Sequence, residues 1–259
     1  MEFHQLCEEL FTRLNPGKIE KVIVGLHLTM VVARVHGESR AGLASTVKSD
    51  GHHHRDWHDV HDPGNMQNME GEELARLMLS MSPVEHSIGL AAVNALLPRY
   101  PDEWLDLNAE EIIARAGRNK CVVLAGHFPF VKRLADRVGE LVVLELDPRG
   151  SDLPADQAPE WVPRADILAM TSVTLLNGTL GQMLSLRRKT ELTMLVGPST
   201  PLTPVLQDLD IQLLSGSIVT DIPAVASAVI QGGDFRQVRR AGVRLVTVGD
   251  PAKLSMAFD

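Results

Sequence analysis

Residues 121–130 read CVVLAGHFPF, and this stretch decides the fold. The run Cys121–Ala125 is apolar without alternation, as in a strand covered on both faces. It breaks at Gly126-His127-Phe128-Pro129 and passes into FVKRLADRV, whose apolar residues recur at helical spacing. The same grammar repeats down the chain in LVVLELD (141–147), ADILAMT (165–171), ELTMLVG (191–197), IQLLSGSIV (211–219) and RLVTVG (244–249). Short apolar runs alternating with helical segments predict a Rossmann-like parallel sheet with helices on both faces, starting at about Lys120. In such sheets ligands bind beyond the carboxyl ends of the strands, where the strand order reverses. The residues that follow each run are therefore the candidate site.

Gly126-His127-Phe128-Pro129 lacks the G-x-G-x-x-G of a dinucleotide loop. It is still a tight turn onto a helix, the kind of place where an anion could be received. His127 sits there as a candidate general acid or base, because imidazole titrates near neutrality; its bland role would be to hydrogen-bond the turn. Glu145 and Asp147 close the second strand at the spacing where related folds bind a ribose hydroxyl. After the third strand come Thr171, Thr174, Asn177, Gly178 and Thr179. Thr174 has the chemistry of a helix cap. Asn177-Gly178 is a poor helical pair, so it suggests close approach of a ligand or of another part of the chain. After the fourth strand, Gly197-Pro198-Ser199-Thr200-Pro201 sets two hydroxyls between two rigid prolines.

The front half reads as an α+β unit. Phe3, Leu6, Leu10, Phe11 and Leu14 share a helical face over residues 3–14, ended by Asn15-Pro16-Gly17. KVIVGLHLTMVVARV (21–35) reads as one strand carrying a core histidine, His27. Gly37 then marks a hairpin break before AGLASTV (41–47). A loop over 48–69 leads to a helix over about 70–81. Ser82, Pro83 and Glu85 form a capping-box start for a helix to about Leu97. Asn108, with Glu111 at the box position, opens another that Gly117 ends. The domain boundary expected on this basis gives 1–108 and 109–259.

The loop GHHHRDWHDVHDPGN is the most unusual composition in the chain. If it were helical, His54, His58 and His61 would share a face and could hold Zn, Ni or Cu. Gly51 and Pro63-Gly64 favour a loop with weak metal affinity instead.

The 259 residues suffice for one large domain or two modest ones, and a net charge of -8 with 4% aromatic residues argues against nucleic-acid partners. Cys7 and Cys121 read as reduced, buried thiols. The acidic N-terminus is unlike a signal peptide and no apolar run reaches membrane-spanning length. A cytoplasmic protein with no membrane partner is expected.

GHFP, ELD, T-x-x-T-L-x-N-G-T and GPSTPL, in this order, resemble the family described as "putative heavy-metal chelation", a domain of unknown function with a Rossmann-like C-terminal part. VGLHLTMVVAR and AGLAST resemble its companion domain, which has an enolase-N-terminal-like fold. The resemblance implies an α/β protein built of an enolase-N-terminal-like α+β domain and a Rossmann-like domain with an interdomain cleft. It implies an organic ligand or metal chelate there, with roles proposed in condensing or hydrolysing pterin-, flavin- or siderophore-like molecules. Carried onto this chain, the ligand-binding candidates are Gly126, Phe128, Pro129, Glu145, Asp147, Thr171, Thr174, Asn177, Gly178, Thr179, Gly197, Pro198, Ser199 and Thr200, with His127 as the catalytic candidate. Thr29, Gly42 and Leu43 join them from the front domain. The expected cofactor is a divalent transition metal (Zn, Ni or Co) or a nucleoside-containing ligand. Two alternatives stand beside this: a non-enzymatic metal handler using the His-rich loop, and a methyltransferase-like enzyme. The missing glycine-rich first loop counts against the latter.

Overall fold

The computed structural model describes residues 2–48, 58–188 and 190–255. In chain order the elements are α1 (Phe3–Thr12), β1 (Gly17–Val24), β2 (Leu28–Val35), β3 (Glu38–Ser45), α2 (Gly71–Ala75), α3 (Pro83–Leu96) and α4 (Ala109–Ala116). Then follow β4 (Cys121–Ala125), α5 (Val131–Leu134), β5 (Glu140–Glu145), β6 (Leu153–Pro154), α6 (Ala158–Trp161), β7 (Ile167–Thr171), α7 (Val173–Leu176) and α8 (Leu180–Leu186). The chain ends with β8 (Leu192–Val196), α9 (Pro204–Gln207), β9 (Leu213–Val219), α10 (Ile222–Ile230), α11 (Phe235–Gly242), β10 (Val243–Gly249) and α12 (Pro251–Ser255).

Two compact units result. One comprises Met1–Tyr100, Pro198–Val205 and Gly216–Leu245; the other comprises Pro101–Gly197, Leu206–Ser215 and Val246–Asp259. The boundary expected at 108/109 follows chain order, whereas the contacts gather residues 216–245 with the first hundred. The reason is an apolar face. α10 and α11 bury Val225, Ala226, Val229 and Val238 against Ile23, Leu28, Met30, Val32, Ala41 and Leu43 of the antiparallel sheet β1-β2-β3.

The segment 21–35, expected as a single strand, is two strands and a turn. Gly25 donates its N–H to the Leu28 carbonyl at 2.9 Å, and the chain reverses through Leu26 and His27. A Cβ on Gly25 would stand 2.6 Å from the Val229 carbonyl oxygen, so the turn needs a glycine here. His27, expected in the core, is exposed at this turn. α3 lies on the other face of the sheet. A Cβ on Gly42 would come within 2.2 Å of the Ala91 carbonyl oxygen, which shows how closely that helix backbone approaches β3.

Helix starts follow the predicted caps in part. Ser82 Oγ accepts from the Glu85 N–H, as a cap should, but the Glu85 carboxylate turns to Ser80 and His61 instead of closing the box. Asn108 Oδ1 accepts from the Glu110 N–H, and Glu111 is occupied by Arg115 and Arg137. The predicted helix over 70–81 is shorter, α2 running into a 3₁₀ turn at Arg76–Leu79.

The larger sheet has the order β10-β9-β8-β7-β4-β5-β6. The pairs β4-β5, β4-β7, β5-β6, β7-β8 and β8-β9 are all parallel. Val122, Leu124, Ile167, Ala169, Leu192 and Met194 face a core built with α4, α5 and α12. Val123, Leu168, Met170 and Leu195, of opposite parity, are buried as well. Burial on both faces is what the unalternating runs require. Among the described residues no helix is long and apolar enough to cross a membrane.

Candidate functional site

From β4 the chain moves outward to β5 and β6, then returns to the other flank of β4 to lay down β7, β8 and β9. The loops leaving β4 and β7 therefore diverge, and a crevice must open between them. A cleft of about 230 Å³ lies there, lined by residues that include Gly126, His127, Glu145, Leu146, Thr171, Thr174, Asn177 and Thr179. Seven of the sequence-predicted positions meet in this one place.

Each is set by its strand end. Gly126 donates its N–H to the Leu144 carbonyl at 2.8 Å, continuing the β4-β5 ladder one residue past the strand. Its φ of +112 is a glycine conformation, and a Cβ would press to 2.7 Å from Thr171 Cγ2. The His127 N–H then donates to Glu145 Oε2 at 2.7 Å, while Glu145 Oε1 accepts the Leu146 N–H at 2.8 Å. One carboxylate thus ties the turn after β4 to the turn after β5.

The His127 ring is held from the other side. Its Nδ1 lies 2.8 Å from Asp152 Oδ2 and 3.0 Å from Oδ1. The Asp152 side chain is 1% exposed, against 42% for His127. With a buried carboxylate at Nδ1, that nitrogen carries the proton, and in the neutral tautomer Nε2 holds the lone pair. The same arrangement orients metal-ligating and catalytic histidines. Asp152 reaches this position because β6 pairs with β5 in the register Leu144↔Leu153. Sequence reading missed it: DPRGSD looks like turn filler and β6 is only two residues long. Its Arg149 N–H to Asp152 Oδ2 contact, at 3.1 Å, is a local turn signature that could have flagged the residue.

On the β7 side, Thr174 Oγ1 donates to the Thr171 carbonyl at 2.7 Å and so serves the helix start. Asn177 Oδ1 accepts from both the N–H and the Oγ1 of Thr179, at 3.1 and 2.7 Å. That leaves the Asn177 amide NH₂ as its donor for a ligand. Gly178 has a φ of +73 with open space where a Cβ would be, so its turn geometry explains the glycine.

Other candidates stand apart from the cleft lining. Phe128 is buried in the core and stacks on Phe130 at 5.1 Å; Pro129 is exposed. Asp147 is exposed and pairs with Arg149. Gly197 follows β8 beside Ser172. Pro198, Ser199 and Thr200 belong to the first unit, where Ser199 Oγ accepts the Ser45 N–H at 2.8 Å. Asn94 Nδ2 donates to the Ser199 carbonyl. Thr29, Gly42 and Leu43 are interior positions of the small sheet, Thr29 Oγ1 being 2.9 Å from Thr46 Oγ1.

His54 lies outside the described residues. His58 and His61 sit on an irregular stretch, with His61 Nδ1 2.9 Å from Glu85 Oε1. Among the described residues no group of three or more His, Cys, Asp and Glu side chains is placed to hold a metal ion. Burial, then Glu8, pushes Cys7 up to about 12; burial, then Glu140, pushes Cys121 up to about 11. Both are therefore protonated at neutral pH in the metal-free protein.

A Rossmann-like sheet with its polar side chains gathered at the switch point defines the class. Family models, both described as "putative heavy-metal chelation", match residues 108–247 and 7–97. The chain belongs to this family, DUF364, preceded by its companion DUF4213 domain. Among solved structures, a DUF364 protein of unknown function from Desulfitobacterium hafniense is 25% identical with a TM-score of 0.77, covering 96% of this chain and 99% of its own. A DUF364 protein of unknown function from Pyrococcus horikoshii is 19% identical with a TM-score of 0.82, covering 96% and 100%. No curated protein matches the chain.

Proposed function

We propose that the protein binds a small hydroxyl-bearing organic ligand, free or as its transition-metal complex, in the cleft at the ends of β4, β5 and β7. The observation that carries this is the His127 ring, fixed by a buried aspartate at the edge of a cleft lined by the segments that end β4, β5 and β7. The cleft is smaller than the roughly 300–1,000 Å³ usual for whole drug-sized ligands, so it suits one recognised portion of a larger molecule. His127 Nε2 is the group placed to move a proton or to complete the coordination of a metal that the ligand itself already holds. Asn177 donates to a ligand oxygen, and Leu146 and Met183 give the apolar contact. The description of both matching family models, "putative heavy-metal chelation", is what supports a transition-metal complex as one form of the ligand.

Native mass spectrometry of tag-free protein, followed by mass and elemental analysis of what is released, tests the reading. A bound organic species, with or without metal, is expected, and His127→Ala, Asn177→Ala and Glu145→Ala should each lose it. Retention of the same species by all three folded variants would refute it.

A further inference from the structure

We infer that the cleft selects a phosphate-free ligand, neutral or cationic, because the protein's own carboxylate occupies the place where related sheets hold a phosphate. This rests on the ligand-binding reading above and narrows its chemistry. The turn after the first strand of a Rossmann-type sheet holds phosphate through backbone N–H groups and a helix end. Here the first two N–H groups of that turn are spent. The Gly126 N–H goes to the Leu144 carbonyl. The His127 N–H goes to Glu145 Oε2 at 2.7 Å, a charge-assisted bond of the kind a phosphate oxygen would make. Pro129 has no N–H, and α5 is a single turn of four residues.

The rest of the lining agrees. Among the described residues no lysine or arginine lines the cleft, and the carboxylate in its lining is Glu145. Asp152 adds a second carboxylate directly behind the His127 ring. A phosphate entering would meet Glu145 at close range without a compensating cation, and like charges at contact in a partly desolvated site repel strongly. A hydroxyl, amine or onium group instead finds acceptors in Glu145 and the threonine hydroxyls, with Ala125, Leu144, Leu146, Val173 and Met183 for an apolar face.

The test is a matched-pair screen on tag-free full-length protein. Nucleosides, pterins and pyridoxal-type ring compounds are titrated beside their phosphorylated forms, following ¹⁵N-labelled backbone and imidazole signals of His127. The expected result is that unphosphorylated members shift these signals and bind at least about tenfold more tightly than their phosphorylated partners. In Glu145→Gln, which removes the charge while its one amide oxygen keeps one of the two backbone N–H bonds that the carboxylate accepts, the preference should shrink or reverse. A phosphorylated member binding wild type as tightly as its partner overturns this inference and leaves the ligand-binding reading standing. No response from either form of any pair removes the ligand-binding reading, and this inference with it.

Discussion

Asp152 Oδ2 lies 2.8 Å from His127 Nδ1, and the aspartate is buried while the histidine faces the cleft. The pair fixes which imidazole nitrogen is protonated in the neutral ring without placing the carboxylate in the cleft lining. Asp152 is in this sense a positioning residue. Asp152→Asn should leave the fold intact yet lower affinity for the cleft ligand or chelate by about 10–100-fold, the cost typical of losing such a partner. Imidazole ¹⁵N shifts should show the Nδ1–H tautomer in wild type and a mixed population in the variant. An Nε2–H tautomer in wild type would contradict the assignment.

His86 is tucked beside the Phe3 ring, with no hydrogen-bond partner for Nε2 among the described residues, and burial lowers its pKa from 6.5 to about 4. Between those two values the unfolded chain takes up a proton that the folded one refuses, so stability must fall as pH drops from 6.5 to 4. The loss has an upper bound of about 3 kcal/mol. Glu85, whose carboxylate accepts from Ser80 and His61, has a lowered pKa despite its burial, and its contribution is lost only below the ordinary carboxylate range. Urea unfolding from pH 7 to 4 should therefore show the slope, and His86→Leu should flatten it above pH 4.5. An unchanged slope would place the effect elsewhere.

Cys7 and Cys121 carry thiols raised to about 12 and about 11. At pH 8 roughly one in ten thousand and one in a thousand, respectively, would be thiolate. Native protein should react with Ellman's reagent far more slowly than denatured protein, and Cys121→Ser should leave metal content as purified unaltered. Rapid stoichiometric labelling would show that the thiols are available to a soft metal after all.

Gly42 is the seat of α3 on β3, with the Ala91 carbonyl oxygen 2.2 Å from where a Cβ would stand. Gly42→Val should cost about 3 kcal/mol or more, since backbone cannot yield as a side-chain tip can. A thermal midpoint equal to that of wild type would mean that the helix shifts freely. The glycine is explained by packing, which is separate from any contact with ligand.

The large sheet was legible because buried parallel strands leave unalternating apolar runs, and Cys121–Ala125, Ile167–Thr171 and Leu192–Val196 follow that pattern closely. His127, Glu145 and Asn177 could be picked out because strand ends announce themselves. Asp152 could not: its role depends on a two-residue edge strand whose register no local pattern encodes. The β1-β2 turn was hidden for a different reason. Gly25 sits inside a β-branched run with no second turn residue beside it, and the reason for the glycine is Val229, two hundred residues away in the chain. Ser199 and Thr29 show the converse, polar residues in suggestive positions whose hydroxyls serve the interior.

The small antiparallel sheet has a consequence for how the protein is made. β1, β2 and β3 are translated early, but the helices that cover Met30, Val32 and Leu43 come from Ile222–Ile230 and Phe235–Gly242. At about 5–20 residues per second, a nascent chain carries that greasy face uncovered for tens of seconds. During that interval the exposed apolar face and its strand edges make the nascent chain prone to aggregate.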